Sequence, residues 1–533
     1  MISKINASFL RLSTRNAQDS VYGHRQSRVP HRLTGKVFVF FLSARERWYA
    51  STRPKEAQQM QTRLHCQIKG ICQMYRAYTF AIMTMFAVVQ FGHGQGVDLT
   101  ALENQAVTRV QEYIQVNTIN PPGNESRAVE FLGRIFEDEG IPFETVETAP
   151  GRGNIWARIP GGSEPALVLL HHSDVVPADE DFWDSDPLSG EIRDGYIYGR
   201  GALDTKTLGI LHLQTFLALH RAGRPLNRDV IFMATADEEA GGFFGAGWMV
   251  ENRPEIFDGV GILLNEGGGG SLDGNLIEFG VEVTQKVPYW FRLVAKGPPG
   301  HGSTPRVESS VTRLIRALSN VRSHNFPPRI IPPVDAYFKG IAPNADEQWR
   351  DAFMDMRSAI KDPEFLLKLQ IHNPFLHAIT RNTCSITRLE GSSKINVVPP
   401  SATAELDCRL LPDQDPAAFI RTLGSVINDP AVEIEQIMGF SPAVSTTETS
   451  LYRAMETVTK RHFPTAAFLP TIQSGFTDSH FFRDLGIVSY GFSTMLIPIA
   501  DDRGVHGNNE RISLENVKLG TRMMLEIVQA VVY

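Results

Sequence analysis

The chain has 533 residues, 42% hydrophobic and 21% charged, an ordinary globular composition long enough for two or more domains with cores of their own. Its formal net charge of -7 excludes the basic excess of a nucleic-acid binder, so no nucleic-acid partner is expected. The charge is uneven: residues 1–73 hold 13 Lys and Arg against 3 Asp and Glu, which leaves 39 against 56 for the remainder.

Residues 1–73 are polar and basic, with no sustained apolar period beyond Val37 to Leu42. A short basic start at Met74-Tyr75-Arg76 then leads into an uncharged apolar run, Phe80 to Phe91, and on to the small and polar residues Gly92 to Gly96. That tripartite order is a secretory signal peptide over residues 74–96, with Gly94 and Gly96 in the small-residue positions of a cleavage site. Met74 is therefore expected to be the true start, residues 1–73 a spurious or dispensable extension, and the protein exported to the periplasm or outside the cell. The apolar run falls short of the ~20 residues that a spanning helix needs, so no stable membrane span is expected.

From Val97 apolar strands alternate with helices. Leu102 to Val116 and Ala128 to Gly140 read as helices around a turn-rich loop, Asn117 to Gly123. Ala166 to Leu170 (ALVLL) is a buried strand running into His171 and His172. Leu208 to Ala222 is a helix, Val230 to Ala234 a strand, Gly245 to Glu251 a helix start and Val260 to Leu264 a strand. This alternation predicts an α/β sheet with its site at the carboxyl ends of the strands. Near Thr284 the pattern changes to β-α-β-β-α-β: Val287 to Lys296, Ser309 to Val321, Thr383 to Leu389, Thr403 to Leu410, Pro416 to Ile427 and Val432 to Met438, a ferredoxin-like plan. A long Pro- and helix-rich insertion, residues 323–381, interrupts it. After Ser441 the α/β pattern returns, with a helix at Leu451 to Arg461, a strand at Ile487 to Gly491 and a last helix at Leu514 to Val531. The expected architecture is one α/β domain, residues 97–283 and 441–533, carrying an inserted α+β domain, residues 284–440.

Two histidines and five carboxylates stand out at strand ends and glycine-rich loops: His172, Asp174, Asp204, Glu238, Glu239, Glu266 and His506. Imidazole and oxygen ligands without cysteine suit a pair of hydrolytic cations better than a structural zinc knot. In an extended strand His172 and Asp174 share a face, so one can bind a cation while the other orients it, and His171 faces away as a packing residue. Asp204, after Tyr198-Gly199-Arg200-Gly201, is either a helix N-cap or a carboxylate bridging two cations. Glu238 and Glu239 project differently, so one can bind a cation while the other acts as a base. Glu266 precedes four glycines, but no Gly-Lys-Ser/Thr follows and phosphate cradling is discounted. Cys384 and Cys408 lie on two strands of the small domain, as a disulfide or as buried thiols.

The blocks LLHHSDVVP, YGRGALDTK, TADEEAGG, LLNEGG, GHGSTP, NVVPPSATAELDCR and VHGNNE occur in this order over Val97 to Tyr533. They resemble the aminoacylase, carboxypeptidase G and succinyl-diaminopimelate desuccinylase family of dimetal amidohydrolases, and the insertion resembles its carboxypeptidase S branch. The resemblance implies a mixed-sheet α/β dimetal peptidase domain with a ferredoxin-like lid and dimerisation domain. It implies that His172, Asp204 and Glu266 hold one divalent cation and Asp204, Glu239 and His506 a second, zinc first, with cobalt or manganese able to replace it. It implies that Asp174 orients His172 and that Glu238 is the general base, then the acid. His301 would reach a partner subunit's site in a homodimer, and Asn396, Arg409 and Gly475 would bind substrate, with Arg409 forking onto a free carboxylate. Where carboxypeptidase S-like relatives read Asp-Glu-Gly this chain reads Asn265-Glu266-Gly267, and the ligand is placed on Glu266. The implied reaction is hydrolysis of an amide in a peptide or N-acyl amino acid that carries a free carboxylate. The competing class is an exported, non-catalytic peptide or metal binder, which would need neither Asp174 nor Glu238.

Overall fold

The computed structural model describes residues 97–499 and 504–533. The segment 74–96 expected to be a signal peptide and the expected extension at 1–73 lie outside the described residues. Helices α1 (Leu99–Ile114) and α2 (Ser126–Asp138) come first. Strands β1 (Phe143–Glu147), β2 (Gly153–Ile159) and β3 (Glu164–His172) follow. Two short strands, β4 (Glu191–Arg193) and β5 (Tyr196–Tyr198), precede helix α3 (Lys206–Ala222), strand β6 (Arg228–Thr235), helix α4 (Ala246–Asn252) and strand β7 (Val260–Asn265). Strands β8 (Gly269–Asp273) and β9 (Leu276–Gln285) close this half.

Strand β3 is apolar throughout because both of its faces are covered. Leu167 and Leu169 belong to the core under α1 and α3, while Val168 and Leu170 belong to the opposite core with Met233 and Phe482. Strands β6, β3 and β7 are parallel, and His172 pairs in register with Thr235. The carboxyl ends of three strands therefore open at one edge, where His172, the Asp237–Glu239 turn and Glu266 emerge.

A single residue, Lys286, separates β9 from β10 (Val287–Lys296), the first strand of the small domain. The two-residue strand β11 (Gly300–His301) and helix α5 (Ser310–Ser323) come next. The insertion folds into five helices: α6 (Pro332–Ile341), α7 (Glu347–Met354), α8 (Met356–Ala359), α9 (Pro363–His372) and α10 (Pro374–Ala378). Then come β12 (Thr383–Glu390), β13 (Val397–Val398), β14 (Ser401–Leu410), α11 (Pro416–Ile427) and β15 (Val432–Gly439). The four long strands form an antiparallel sheet in the order β12-β14-β10-β15, so the β-α-β-β-α-β order read from sequence closes into one sheet. Along β14 every second side chain from Ala402 to Leu410 is buried, the period-two signature of a sheet with one covered face. Cys384 and Cys408 stand directly opposite in the β12–β14 register and are disulfide-bonded.

The chain then returns to the large sheet through α12 (Ser450–His462), β16 (Ala467–Gln473), α13 (Ser479–Asp484), β17 (Val488–Gly491), β18 (Leu496–Pro498), β19 (Arg511–Ser513) and α14 (Leu514–Val532). Ten strands result, ordered β1-β2-β6-β3-β7-β17-β9-β8-β18, with β16 beside β9. The insertion has its own core around Val334, Phe338 and Met356, and that core also takes in Ile472 of β16. Helix α6 lies so close to β16 that a Cβ at Gly340 would stand 2.0 Å from Leu469 Cδ2. The insertion thus braces the large sheet as well as the small one, a contact the sequence did not announce.

Candidate active site

His172 ends β3 with its side chain buried beneath the sheet edge. Its Nδ1 faces Asp174, 3.0 Å from the backbone oxygen and 3.4 Å from Oδ1. Its Nε2 lies 3.1 Å from Asp204 Oδ1 and 3.8 Å from Glu266 Oε2. The other oxygen of Asp204, Oδ2, is 2.9 Å from His506 Nε2, which in turn is 3.2 Å from Glu239 Oε1. Two triads result, His172–Asp204–Glu266 and Asp204–Glu239–His506, the ligand atoms of each within 4.8 Å of one another. Asp204 belongs to both and gives one oxygen to each. The N-cap alternative for Asp204 fails: Thr205 takes the position before α3, without a side-chain cap.

Asp174 does more than face His172. It is fully buried, accepts from Asn120 Nδ2 at 2.8 Å and receives the backbone N–H groups of Glu238 and Glu239, both at 3.2 Å. One carboxylate therefore fixes the end of β3 and the turn after β6. Asp237 makes that turn in the left-handed region, φ 70°, and accepts from Phe244 N with Oδ2 while Arg152 pairs with its Oδ1. Glu238 is buried beside the cluster.

The electrostatics follow from crowding. Burial, and after it the charge of Glu266, pushes the Glu238 carboxyl well above its ordinary value. Burial likewise pushes Glu266 well up, against the pull of His172, and raises Glu239. Burial would raise Asp204 too, but the hydrogen bonds from His172 and His506 outweigh it and hold this carboxyl low. Those bonds to Asp204 and Glu239 push His506 up to about 10. The donors fit a pair of divalent cations. They are imidazole nitrogens and carboxylate oxygens without a thiolate, with three carboxylates across the two triads against two imidazoles.

The remaining expected residues sit on the small domain and at its border. His301 is exposed on β11, its Nδ1 2.7 Å from Ser303 Oγ, and Gly302 N donates to Asn396 O at 2.8 Å, so His301 and Asn396 form one group. Neither belongs to the triads. Arg409 leaves β14 with Nε and Nη2 donating to Asp407 at 2.7 and 3.2 Å, while its Nη1 is buried without a partner. Its guanidinium lies over Phe476, the residue after Gly475.

Residues marked by no sequence reading hold the site in place. Glu510 is fully buried and takes Arg200 Nη1 at 2.5 Å on one oxygen and Leu203 N and Asp204 N at 2.6 and 3.2 Å on the other. Arg200 also donates to Gly507 O at 2.9 Å and so ties the His506 loop to the Asp204 turn. Both residues lie inside the blocks YGRGALDTK and VHGNNE, and their charge within glycine-rich loops is the signal that could have found them. Asp478 is buried, accepts from Thr235 Oγ1 at 3.0 Å and is pushed up to about 7 by burial.

Residues 168–530 match peptidase family M20/M25/M40. The chain belongs to this family. It is 31% identical over 381 residues to the N-fatty-acyl-amino acid synthase/hydrolase PM20D1 of Xenopus tropicalis, covering 68% of this chain and 72% of that protein. It is 27% identical over 436 residues to aminoacylase-1 of Pongo abelii, covering 79% of this chain and 95% of the relative. Among solved structures, the M20 metallo-carboxypeptidase Sso-CP2 of Sulfolobus solfataricus shares the fold with a TM-score of 0.61 at 21% identity, over 80% of this chain and 99% of that one. This M20 protein is accordingly a metal-dependent hydrolase of amide bonds.

Proposed function

We propose that the protein removes the acyl group, or the C-terminal residue, from an N-acyl amino acid or peptide with a free carboxylate, using two zinc ions that cobalt or manganese can replace. The observation that carries this reading is the pair of triads sharing Asp204 beside a buried Glu238. His172, Asp204 and Glu266 would hold one ion and Asp204, Glu239 and His506 the other. Bound there, the ions supply Lewis acidity to the attacking water and to the scissile carbonyl. Glu238 takes the proton of the water and returns it to the leaving amine. Asp174 positions both sides, since it touches the His172 ring and the backbone of Glu238 and Glu239.

Arg409 anchors the free carboxylate. Asp407 occupies its Nε–Nη2 edge and Nη1 is buried, so a substrate carboxylate would take the fork by displacing Asp407 from that edge. Asn396 and Gly475 would contribute to binding the same substrate. His301, exposed on the small domain, polarises the scissile carbonyl in the site of a second copy, which makes the active form a homodimer. The segment 74–96 directs export, and the bonded pair Cys384–Cys408 suits an oxidising compartment.

Glu238→Gln tests the assignment. It is expected to lower kcat by about 10²–10⁴ while two ions per chain remain in elemental analysis. Near-normal turnover in this variant would remove Glu238 from the mechanism.

A further inference from the structure

Lys286 stands alone between β9 and β10, and its backbone N–H donates to Gln473 O at 2.8 Å, at the end of β16. Gln285, the residue before it, accepts from Thr477 N at 3.0 Å. These two residues hold both ends of the segment 473–477, which carries Gly475 and the Phe476 ring against the Arg409 guanidinium. The Lys286 side chain reaches the small domain instead. Its Nζ donates to Ala378 O at 2.8 Å and to Arg381 O, and reaches Thr383 Oγ1 at 3.3 Å. Thr383 starts β12 and pairs in register with Arg409 of β14. One buried residue therefore ties the loop that packs on Arg409 to the strand that pairs beside it.

A neutral side chain would serve a plain joint at lower cost. Burial, and after it the charges of Arg409 and Arg381, lower the Lys286 ammonium to about 7 against the pull of Asp407. Arg381 is buried too, with Nε and Nη2 unpartnered, and so is Nη1 of Arg409. Three cations thus gather around one carboxylate, and a buried positive excess of this kind is relieved by an arriving anion. The carboxylate that a substrate brings to Arg409 is such an anion.

We propose that Lys286 is a positioning residue of the carboxylate anchor: it sets the loop and the strand that flank Arg409, and its charge strengthens the hold on the free carboxylate of the substrate. This rests on the hydrolase reading above and on its assignment of Arg409.

The test compares N-acetyl-leucine, N-decanoyl-leucine and Ala-Leu with their C-terminal amides, using the zinc-loaded full-length enzyme. The unaltered enzyme is expected to favour the acid of each pair it cleaves. Lys286→Met keeps the bulk and removes the ammonium. It is expected to raise KM for the acid about tenfold with kcat within about threefold, and to leave kcat/KM for the amide within about twofold. Added to Arg409→Met, it should lower kcat/KM for the acid no further, because a residue that acts through Arg409 then has nothing left to position. Thr383→Val removes one partner of the ammonium, suits a strand and should raise the same KM about twofold to threefold, which keeps the test decisive should Lys286→Met fold poorly. An equal loss on acid and amide, a double variant well below Arg409→Met, or an unchanged KM in both single variants overturns the role of Lys286 and leaves the hydrolase reading standing. Equal cleavage of acid and amide by the unaltered enzyme overturns the Arg409 anchor and this inference with it. Failure to cleave any N-acyl-leucine or any dipeptide overturns the hydrolase reading itself.

Discussion

Asp204 joins the two triads through its two carboxylate oxygens, one 3.1 Å from His172 and the other 2.9 Å from His506. Without cations those distances are hydrogen bonds, so at least one imidazole carries a proton. His506, held at about 10 by Asp204 and Glu239, is protonated at pH 7.5 and must lose that proton to become a ligand. Metal binding at pH 7.5 should therefore release at least one proton per chain, read from titration calorimetry in buffers of different ionisation enthalpy. Affinity should fall as pH is lowered, because Glu239 and Glu266, raised by burial, compete for protons as well. Binding with no proton release would contradict this charge state. At this scale most of the cluster was legible: His172, Asp204, Glu239, Glu266 and His506 meet as expected. Glu510 and Asp478 were not, because a buried positioning carboxylate reads in sequence like any loop acid until its partners are seen.

At the scale of elements, the site depends on where strands stop. Strands β3, β6 and β7 were legible because both their faces are buried, which makes each a continuous apolar run. Strand β1 escaped notice because it is a largely exposed edge, and β16 because Pro470 reads as a strand breaker, though a strand that pairs along only one side tolerates it. The Gly-rich stretch before Gln285 hid β8 and β9 behind turn chemistry. Loops matter as much as strands, and Glu510 binds the Asp204 turn to the His506 loop through Arg200. Glu510→Gln is expected to weaken the His506-side cation by about 10–100-fold with a smaller effect on the other, measured by metal titration. Equal weakening of both, or none, would argue against Glu510 as the support of that side.

For the whole molecule, two sheets meet across one residue, Lys286, whose buried Nζ donates to Ala378 O at 2.8 Å and reaches Thr383 Oγ1 at 3.3 Å. That anchor and the packing of α6 on β16 tie the insertion to both sheets. No helix among the described residues is long and apolar enough to cross a membrane. The alternation of strands and helices made both sheets legible, but the bracing by the insertion was illegible because it depends on a long-range contact at one glycine. If His301 serves a second copy, mixing His301→Ala with Glu238→Ala should restore activity that each lacks alone, because a mixed dimer assembles one intact site. Absence of any recovery, in a preparation shown by light scattering to exchange subunits, would place His301 outside the neighbouring site.

The central claim is that Asp204 bridges two cations. Anomalous diffraction from zinc-loaded crystals tests it most directly. Two peaks are predicted, one among His172, Asp204 and Glu266 and one among Asp204, Glu239 and His506. A single peak, or peaks away from Asp204, would contradict the account.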